Sequence, residues 1–424
     1  MPETQNLKII AHIDMNSYFA SCEQQANPFL RGKPIGICEH LGGIIIAPSI
    51  EAKKFGVKTA MPVWEAKKLC PQIQLFYTDP DKYRETTRRF LNIFLKHTER
   101  IEKYSIDEAF LDLTDNVKNF KNPWVEASEI AGDIKKEMKV YVGDWIKCSI
   151  GIGPDKLIAK IASDLKKPDG LTVIRPEDKN SLYQKLSLTD IPGIGRQTEK
   201  ALNMLGIKAL SDLRDYPESK LVAHFGIQGH HLHQMGQLQG SWQEDFAEEA
   251  QENQESPKSM GHAYTLPSAS TDAKVALQVL YKLSEMVGRR LREAKLSGNI
   301  VHFILTDRKN EYFNKQRKLD RYIQDGREIF LEAANIFEKS EHYKKNFKLI
   351  GVTVSGLKEE INQLSLFDID QTKSRLVKYL DRINDKYGEF TISRVPAWEA
   401  RNLIRDSVGF GRMKEFKVKY KTGK

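Results

Sequence analysis

The stretch Tyr104–Leu113 constrains this chain more than any other, because it places two adjacent carboxylates, Asp107 and Glu108, between apolar flanks. The pattern predicts a strand, a tight turn that carries the two acids, and a second strand. Burying adjacent carboxylates without a cation is costly. A divalent metal offsets that cost, and oxygen ligands suit magnesium. The alternative is a surface hairpin whose tip happens to be acidic.

A second acidic position favours the metal site. The apolar run Leu7–Asp14 predicts a buried strand that ends in a carboxylate, and a helix start follows at Asn16 or Ser17. An Asp at a strand end can face the acidic turn of a neighbouring strand. Three carboxylates could then hold two metal ions about 4 Å apart, as two-metal phosphoryl transfer requires. The helix-opening amides of Ser17 to Phe19 would face a triphosphate.

Two segments, Asp14–Ser21 and Ser105–Phe110, resemble the paired catalytic motifs of Y-family translesion DNA polymerases. The resemblance extends over residues 7–355 and is nearest the bacterial DNA polymerase IV (DinB) branch, with some UmuC-like features. It implies an α+β multidomain fold shaped like a right hand. That fold would comprise a ferredoxin-like palm, small fingers, a helical thumb with a helix-hairpin-helix, and an α/β little finger.

The resemblance also implies roles for individual residues. Asp14, Asp107 and Glu108 would be catalytic and, together with the Met15 carbonyl, would bind two Mg²⁺ ions. Phe19 would be the steric gate that excludes a 2′-hydroxyl, although it could instead simply pack its helix against the sheet. The implied substrate-binding residues are Ser17, Tyr18, Phe19, Lys53 and Lys167.

The residues expected to bind the triphosphate depart from the family pattern. Relatives often carry Tyr and Arg where this chain has Ile50 and Lys53. Lysine keeps the charge but loses the bidentate fork of arginine, and isoleucine donates no hydrogen bond. Lys167 lies in a Lys-Pro-x-Gly turn that the family places near the triphosphate, where a cation would neutralise developing charge. The alternative for the surrounding lysines is a solvated helix face.

Composition sets the class of protein. A chain of 424 residues predicts two to four domains. Lys plus Arg is 66 against 57 for Asp plus Glu, and the net charge of +9 fits a nucleic-acid partner. The four cysteines form no Cys-x-x-Cys pair, which disfavours a zinc site and favours a reducing compartment. We find neither a signal peptide nor a long apolar run, so the expectation is a cytoplasmic protein without a membrane partner.

Composition shifts and the resemblance predict the domain boundaries. The acidic stretch before Ser256-Pro257 contains no Lys or Arg from 244 to 255 and is interpreted as a solvated linker. The predicted parts are a discontinuous palm (7–18 and 80–174), fingers (19–79), a thumb (175–243), the acidic linker (244–257), a little finger (258–357) and a C-terminal extension (358–424).

Two regions are predicted to contact DNA. The Pro-Gly-x-Gly of a helix-hairpin-helix, with Gly193 and Gly195, would present backbone amides to a phosphate, the alternative being an ordinary helical turn. In the little finger, the pattern strand, helix, strand, strand, helix, strand contains a basic strand pair that should lie along phosphates. Its predicted DNA contacts are Arg308, Lys315, Arg317, Lys318 and Arg321.

A short peptide after the little finger resembles the bacterial sliding-clamp-binding motif. Its residues are Gln363, Leu364, Leu366 and Phe367, within the range 363–367. Such short motifs also occur by chance, but its position after a polymerase-like core favours clamp binding. No role is predicted for residues 374–424.

These features together predict a monomeric, template-directed DNA polymerase of the lesion-bypass type. It would add deoxynucleotides to a primer 3′ end by two-metal phosphoryl transfer, with low fidelity and without proofreading. Its partners would be primer–template DNA, deoxynucleoside triphosphates and the sliding clamp. The alternatives are a UmuC-type catalytic subunit that needs an activating partner, a catalytically silent DNA-bound adaptor, and a nucleotide cyclase with a similar palm. The preferred lesion is not predicted.

Overall fold

The computed structural model describes residues 8–240, 257–309, 311–343, 345–359, 368–387 and 391–394. The described residues form two compact units, one from residues 8–38 and 45–240 and one from residues 39–44 and 257–394. Within the described ranges, no helix is both long enough and apolar enough to cross a bilayer. The predicted clamp-binding residues Gln363, Leu364, Leu366 and Phe367 lie outside the described residues, as does most of the acidic linker.

The strands in chain order are β1 (Ile10–Met15), β2 (Ile35–Cys38), β3 (Ala47–Pro48), β4 (Gln74–Tyr77), β5 (Ile101–Lys103), β6 (Glu108–Asp112), β7 (Cys148–Gly153), β8 (Leu171–Val173), β9 (Ser259–Ser270), β10 (Leu296–Thr306), β11 (Tyr312–Ile323) and β12 (Phe347–Glu359). The helices are α1 (Tyr18–Ala26), α2 (Ile50–Lys54), α3 (Val63–Leu69), α4 (Pro80–His97), α5 (Thr114–Val117), α6 (Pro123–Tyr141), α7 (Lys156–Leu165), α8 (Lys179–Lys185), α9 (Arg196–Met204), α10 (Leu210–Asp215), α11 (Glu218–Phe225), α12 (Ile227–Gly236), α13 (Ala273–Glu293), α14 (Gly326–Glu338) and α15 (Asp368–Tyr387).

The first unit is built on a five-stranded sheet in the order β5-β6-β1-β7-β8, here called the palm sheet. Strand β1 is central, and it pairs antiparallel with β6 on one side and with β7 on the other. Alternate β1 residues face opposite sides of the sheet. Ile9, Ala11, Ile13 and Met15 join the large apolar core, whereas His12 contacts Ser163 on α7.

Helix α7 packs unusually close to the palm sheet because β7 carries glycines. A Cβ on Gly151 would lie 2.1 Å from the Ala159 carbonyl oxygen and 2.2 Å from the Ser163 nitrogen. Any side chain at Gly151 would therefore push α7 away from the sheet. This close approach brings the polar residues of α7 to the strand ends that carry the carboxylates.

Within the range predicted as fingers, a small sheet forms, in which β2 pairs antiparallel with β3 and parallel with β4. Its helix α2 begins after Ser49, whose hydroxyl accepts a hydrogen bond from the Ala52 amide at 3.2 Å. Helix α3 follows over Val63–Leu69.

The second unit confirms the predicted strand, helix, strand, strand, helix, strand order. Its antiparallel sheet runs β11-β10-β12-β9, and α13 and α14 bury a separate apolar core against it. Strand β11 is an edge strand in which nine of the twelve residues are exposed. Beyond the predicted domain, α15 is joined to α13 by two hydrogen bonds from the Arg292 guanidinium to the Asp381 carboxylate, at 2.7 and 2.9 Å.

Candidate active site

Three carboxylates converge at one end of the palm sheet. Asp14 on β1 is the register partner of Glu108, the first residue of β6. The Met15 amide donates a hydrogen bond to the Asp107 carbonyl at 3.0 Å, which ties the strand end to the acidic turn. The arrangement expected from the sequence, an Asp at a strand end beside an Asp-Glu turn, is therefore present.

Asp14 is held by a lysine that the sequence had linked to the triphosphate. The Lys167 ammonium lies 2.9 Å from Asp14 Oδ1 and 2.7 Å from Asp164 Oδ1. Burial raises the pKa of Asp14 above its ordinary value, although the charge of Lys167 opposes that shift. The pKa of Lys167 is raised as well, because Asp14 and Asp164 outweigh the opposing effect of burial. A tightly held positive charge thus lies beside the first carboxylate.

Glu108 is surrounded by donors. His12 Nε2 lies 3.0 Å from Glu108 Oε2, and Lys160 Nζ contacts the same oxygen. Burial alone would favour the protonated acid, but the hydrogen bond with His12 and the charge of Lys160 lower the pKa of Glu108 to about 2. Full burial lowers the pKa of His12, which keeps its imidazole neutral. Glu108 is therefore a carboxylate at physiological pH.

The pKa of Asp107 is shifted upwards, opposite to that of Glu108. Burial, followed by the nearby charges of Asp14 and Glu108, raises the pKa of Asp107 to about 6, even though Ser105 Oγ donates a hydrogen bond to Asp107 Oδ1 at 2.6 Å. Like charges at close range disfavour the ionised form. A divalent cation at this position would relieve that repulsion.

The donor set fits magnesium bound together with a substrate. Among the described residues, no three His, Cys, Asp or Glu side chains are arranged as a ready-made metal site. Magnesium, however, is commonly bound by one or two carboxylates together with substrate phosphates and water, rather than by an all-protein cage. The carboxylates of Asp14, Asp107 and Glu108 and the carbonyl of Met15 are oxygen donors of that kind.

The start of α1 adjoins these carboxylates in sequence. Ser17 caps the helix in the left-handed region, with φ 48° and ψ 47°, and its hydroxyl oxygen is buried without a partner among the described residues. A non-glycine residue in this region is strained, and such strain is concentrated at functional sites. The Tyr18 side chain is buried instead in the core, where its hydroxyl donates to the Tyr83 carbonyl at 2.7 Å.

The side chain of Phe19, the predicted steric gate, is almost fully buried. Its ring is 1% exposed and stacks on Tyr83, with ring centroids 4.3 Å apart and planes 14° apart. The Tyr83 hydroxyl donates to Glu23 at 3.0 Å, and Lys82 donates to the same carboxylate at 2.7 Å. The position of Phe19 is therefore fixed by a supported aromatic stack.

Lys53 lies on α2. Burial and the repulsion of Lys167 lower the pKa of Lys53, while Asp14 acts in the opposite direction. The charges of Lys167 and Asp14 therefore act on Lys53. The neighbouring Ile50 is the first residue of α2.

The predicted DNA contacts fall on two surfaces. Gly193 has φ +100°, which favours glycine, and Gly195 leads directly into α9 with open space where a side chain would be. On β11, Arg317 lies 3.1 Å from Glu332, and Arg321 lies 4.0 Å from both Glu328 and Glu332. Two of the predicted DNA-binding arginines are thus close to carboxylates of α14, whereas Lys315 and Lys318 are exposed.

Sequence reasoning assigned no role to His12, Lys160 or Ser163, which lie behind Glu108. A signal was present in β1, because His12 is two residues before Asp14 and must share its face of the strand. On α7, Lys160 and Ser163 are three residues apart and are therefore neighbours on the helix surface. Which strand faces which helix could not be obtained from either pattern alone.

Comparisons with known proteins match most of the chain. Family models match residues 13–164 (impB/mucB/samB family), residues 257–366 (the C-terminal domain of that family) and residues 189–239 (the thumb domain of DNA polymerase iota). Proteins named DNA polymerase IV are similar along almost the whole chain. The one from Oceanobacillus iheyensis is 34% identical over 395 residues, or 91% of each chain. The one from Acetivibrio thermocellus is 32% identical over 407 residues, or 94% of this chain and 99% of the relative.

A solved Y-family DNA polymerase chimera aligns with a TM-score of 0.69 and 28% identity, over 83% of this chain and 99% of that one. The right-hand α+β fold class predicted from the sequence is thereby confirmed. The fold and these relatives define a DNA-directed DNA polymerase of the translesion type. The chain belongs to the Y family of these enzymes, as its relatives named DNA polymerase IV do.

Proposed function

We propose that the acidic end of the palm sheet is the nucleotidyl-transfer centre of this polymerase. Asp14, Asp107 and Glu108, with the Met15 carbonyl, are the residues that would hold two Mg²⁺ ions. The observation that carries the proposal is the register pairing of Asp14 with Glu108, beside the turn at Asp107. The low pKa of Glu108 supports it, because that ligand is already ionised.

In the proposed reaction, the primer 3′-hydroxyl attacks the α-phosphate of a deoxynucleoside triphosphate in line, and pyrophosphate leaves. Bound magnesium would promote ionisation of the hydroxyl and neutralise charge on the phosphates. Asp14, Asp107 and Glu108 would hold the ions that supply this chemistry. Lys167 and Lys53 would supply positive charge for the triphosphate.

We infer that Ser17, Tyr18 and Phe19 form the wall for the incoming nucleotide. The strained start of α1 would offer its amides, rather than the Tyr18 side chain, to the triphosphate. Phe19 would exclude a 2′-hydroxyl, since a ring that is fixed by stacking cannot move aside. The small fingers would leave the base pair loosely enclosed, which fits low fidelity.

DNA would be held through its phosphates by both units. Gly193 and Gly195 would present amides at the start of α9, and the basic strand β11 would run along the backbone. Gln363, Leu364, Leu366 and Phe367 would bind the sliding clamp. We further propose a monomer that acts in the cytoplasm without an intrinsic proofreading site.

Primer extension by the full chain tests the catalytic proposal. Asp107→Asn preserves volume but removes a metal-binding oxygen, so nucleotide addition should fall by several orders of magnitude while DNA affinity changes little. Asp115→Asn is the matched control, because Asp115 is exposed and only pairs with Arg100 and Lys118 at the surface. Extension by Asp107→Asn at the rate of the control would refute the metal assignment.

The same assay separates the remaining alternatives. A DNA-bound adaptor would bind primer–template without extending it, even though all three carboxylates are ionisable. A catalytic subunit of the UmuC type would stay inactive until an activating partner was added. Extension of damaged and undamaged templates by the isolated chain would exclude both alternatives.

A further inference from the structure

A row of hydrogen-bonded polar side chains runs from α7 through β1 to the proposed catalytic carboxylate, Glu108. His12 is 0% exposed. Its Nδ1 lies 2.8 Å from Ser163 Oγ, and its Nε2 lies 3.0 Å from Glu108 Oε2. Ser163 is 1% exposed. A buried imidazole whose two nitrogens both have a partner is fixed in position and orientation.

The hydrogens that each group carries determine which group donates in each of these hydrogen bonds. An ionised carboxylate only accepts, so Nε2 of His12 must carry the hydrogen that lies between it and Glu108. In that neutral tautomer Nδ1 is an acceptor, and the Ser163 hydroxyl, which also lies 2.8 Å from the Lys160 carbonyl, can donate its single hydrogen to only one of the two. The tautomer is therefore set by Glu108, and Ser163 holds the ring from its other side.

We propose that His12 and Ser163 are positioning residues, which hold Glu108 so that Oε2 points to His12 and Oε1 points to the metal side. Lys160 contacts the same Oε2 and supplies a positive charge, but its flexible side chain does not hold the Glu108 carboxylate in one orientation. The His12 ring, packed 4.5 Å from the Phe110 ring, has no such freedom. This inference rests on the proposed role of Glu108 as a metal-binding carboxylate.

Two substitutions of His12 separate positioning from packing. In His12→Gln the amide nitrogen can reach the position of Nε2, so the donor to Glu108 is kept. In His12→Asn the shorter amide reaches only the position of Nδ1, so the contact with Ser163 is kept and that with Glu108 is lost. Both variants introduce a polar amide into the same buried site.

Ser163→Ala tests the other end of this hydrogen-bonded row, and Ser284→Ala is its matched control. Ser284 is also a fully buried helix serine, and its hydroxyl bonds back to the Leu280 carbonyl at 2.8 Å, but it lies in the second unit. Each variant removes one buried hydroxyl from a helix, yet only Ser163 touches His12.

The readouts are single-nucleotide extension and Mn²⁺ affinity, the latter measured by electron paramagnetic resonance on the full chain with primer–template DNA. For His12→Asn we expect kcat and Mn²⁺ affinity to fall about 10- to 100-fold, the range found when partners of metal ligands are removed. The KM for the nucleotide should stay within about 2-fold. His12→Gln should recover most of the loss, and Ser163→Ala should show a smaller loss than His12→Asn.

Equal losses in His12→Gln and His12→Asn, or a Ser163→Ala variant that behaves like Ser284→Ala in both readouts, would overturn the proposal. Melting temperatures identify any variant that fails to fold, and Ser163→Ala then decides. If Asp107→Asn retains activity, the metal assignment itself fails. If Asp107→Asn is inactive while the His12 variants are normal, only this inference fails.

Discussion

The Lys167 ammonium lies 2.9 Å from the Asp14 carboxylate, so a triphosphate-binding candidate and a metal-binding candidate form an ion pair. A divalent metal held by Asp14 would compete with Lys167 for the carboxylate oxygens. In the structure, the ion pair compensates the charges of both groups. It also makes Lys167 a sensitive position for mutation.

Lys167→Met should weaken triphosphate binding and raise the KM for the nucleotide about 10- to 100-fold, the value of one or two charge-assisted hydrogen bonds. Affinity for primer–template DNA should be unchanged. The adjacent Lys166→Met is the control, because Lys166 is exposed and directly follows α7. Steady-state kinetics with equal KM values for the two variants would contradict the assignment.

Phe19→Leu should raise the ratio of ribonucleotide to deoxynucleotide incorporation, because a smaller side chain no longer contacts a 2′-hydroxyl. Leucine is preferable to alanine here, since removing a buried phenylalanine ring entirely costs about 3–5 kcal/mol of stability. The measurement is single-nucleotide extension with each type of triphosphate. Phe90→Leu is a control, because Phe90 is equally buried in the same core. Equal ratios in both variants would mean that Phe19 only packs the core.

Asp107→Asn should stabilise the metal-free protein at neutral pH. The folded-state pKa of Asp107 is raised to about 6, so the folded protein binds the proton more tightly than the unfolded chain does. Its ionisation therefore costs stability above that pKa, by up to about 3 kcal/mol, and the cost disappears as the pH falls towards the unfolded value. Urea unfolding in EDTA at pH 7.5 and at pH 5 measures the effect.

In that experiment the stability gained by Asp107→Asn should be larger at pH 7.5 than at pH 5. Glu108 titrates only at lower pH, because its pKa is about 2, and so does not contribute within this window. An equal gain at both pH values would show that ionisation of Asp107 does not destabilise the folded protein.

Lys318→Ala should lower DNA affinity and reduce the slope of log affinity against log salt by about 1, as expected for one lost phosphate contact. Arg317→Ala should have a smaller effect, because Arg317 already pairs with Glu332 at 3.1 Å. Fluorescence anisotropy over a salt series compares the two. A larger loss for Arg317→Ala would show that DNA displaces Glu332.

Replacing Leu366 and Phe367 by Ala should abolish stimulation by the sliding clamp and leave synthesis on clamp-free DNA unchanged. A short peptide buries little surface, so its affinity should be weak, about micromolar. Its effect would come from raising the local concentration of polymerase at the primer end. Primer extension with and without loaded clamp gives the answer, and undiminished stimulation of the double variant would refute the motif.

The acidic turn at Asp107 and Glu108 could be predicted from sequence because its signal is local. Two acids between apolar strands, with Asp14 at the end of another apolar run, imply burial and hence a compensating cation. The six-element order of the second unit was equally predictable, since strand and helix periods differ clearly there. In both cases the information lies within short windows of the chain.

The environment of those groups depends on segments far apart in sequence. His12 meets Ser163, 151 positions away, only because Gly151 lets α7 approach the palm sheet. Likewise, Arg317 and Arg321 looked like free cations until the fold placed α14 beside β11. The sequence by itself determined the family, the order of the elements in the second unit and the carboxylates proposed as catalytic, because these depend on local patterns. The tertiary structure alone decided which donors surround each carboxylate, because helix packing and strand register are set by contacts across the whole unit.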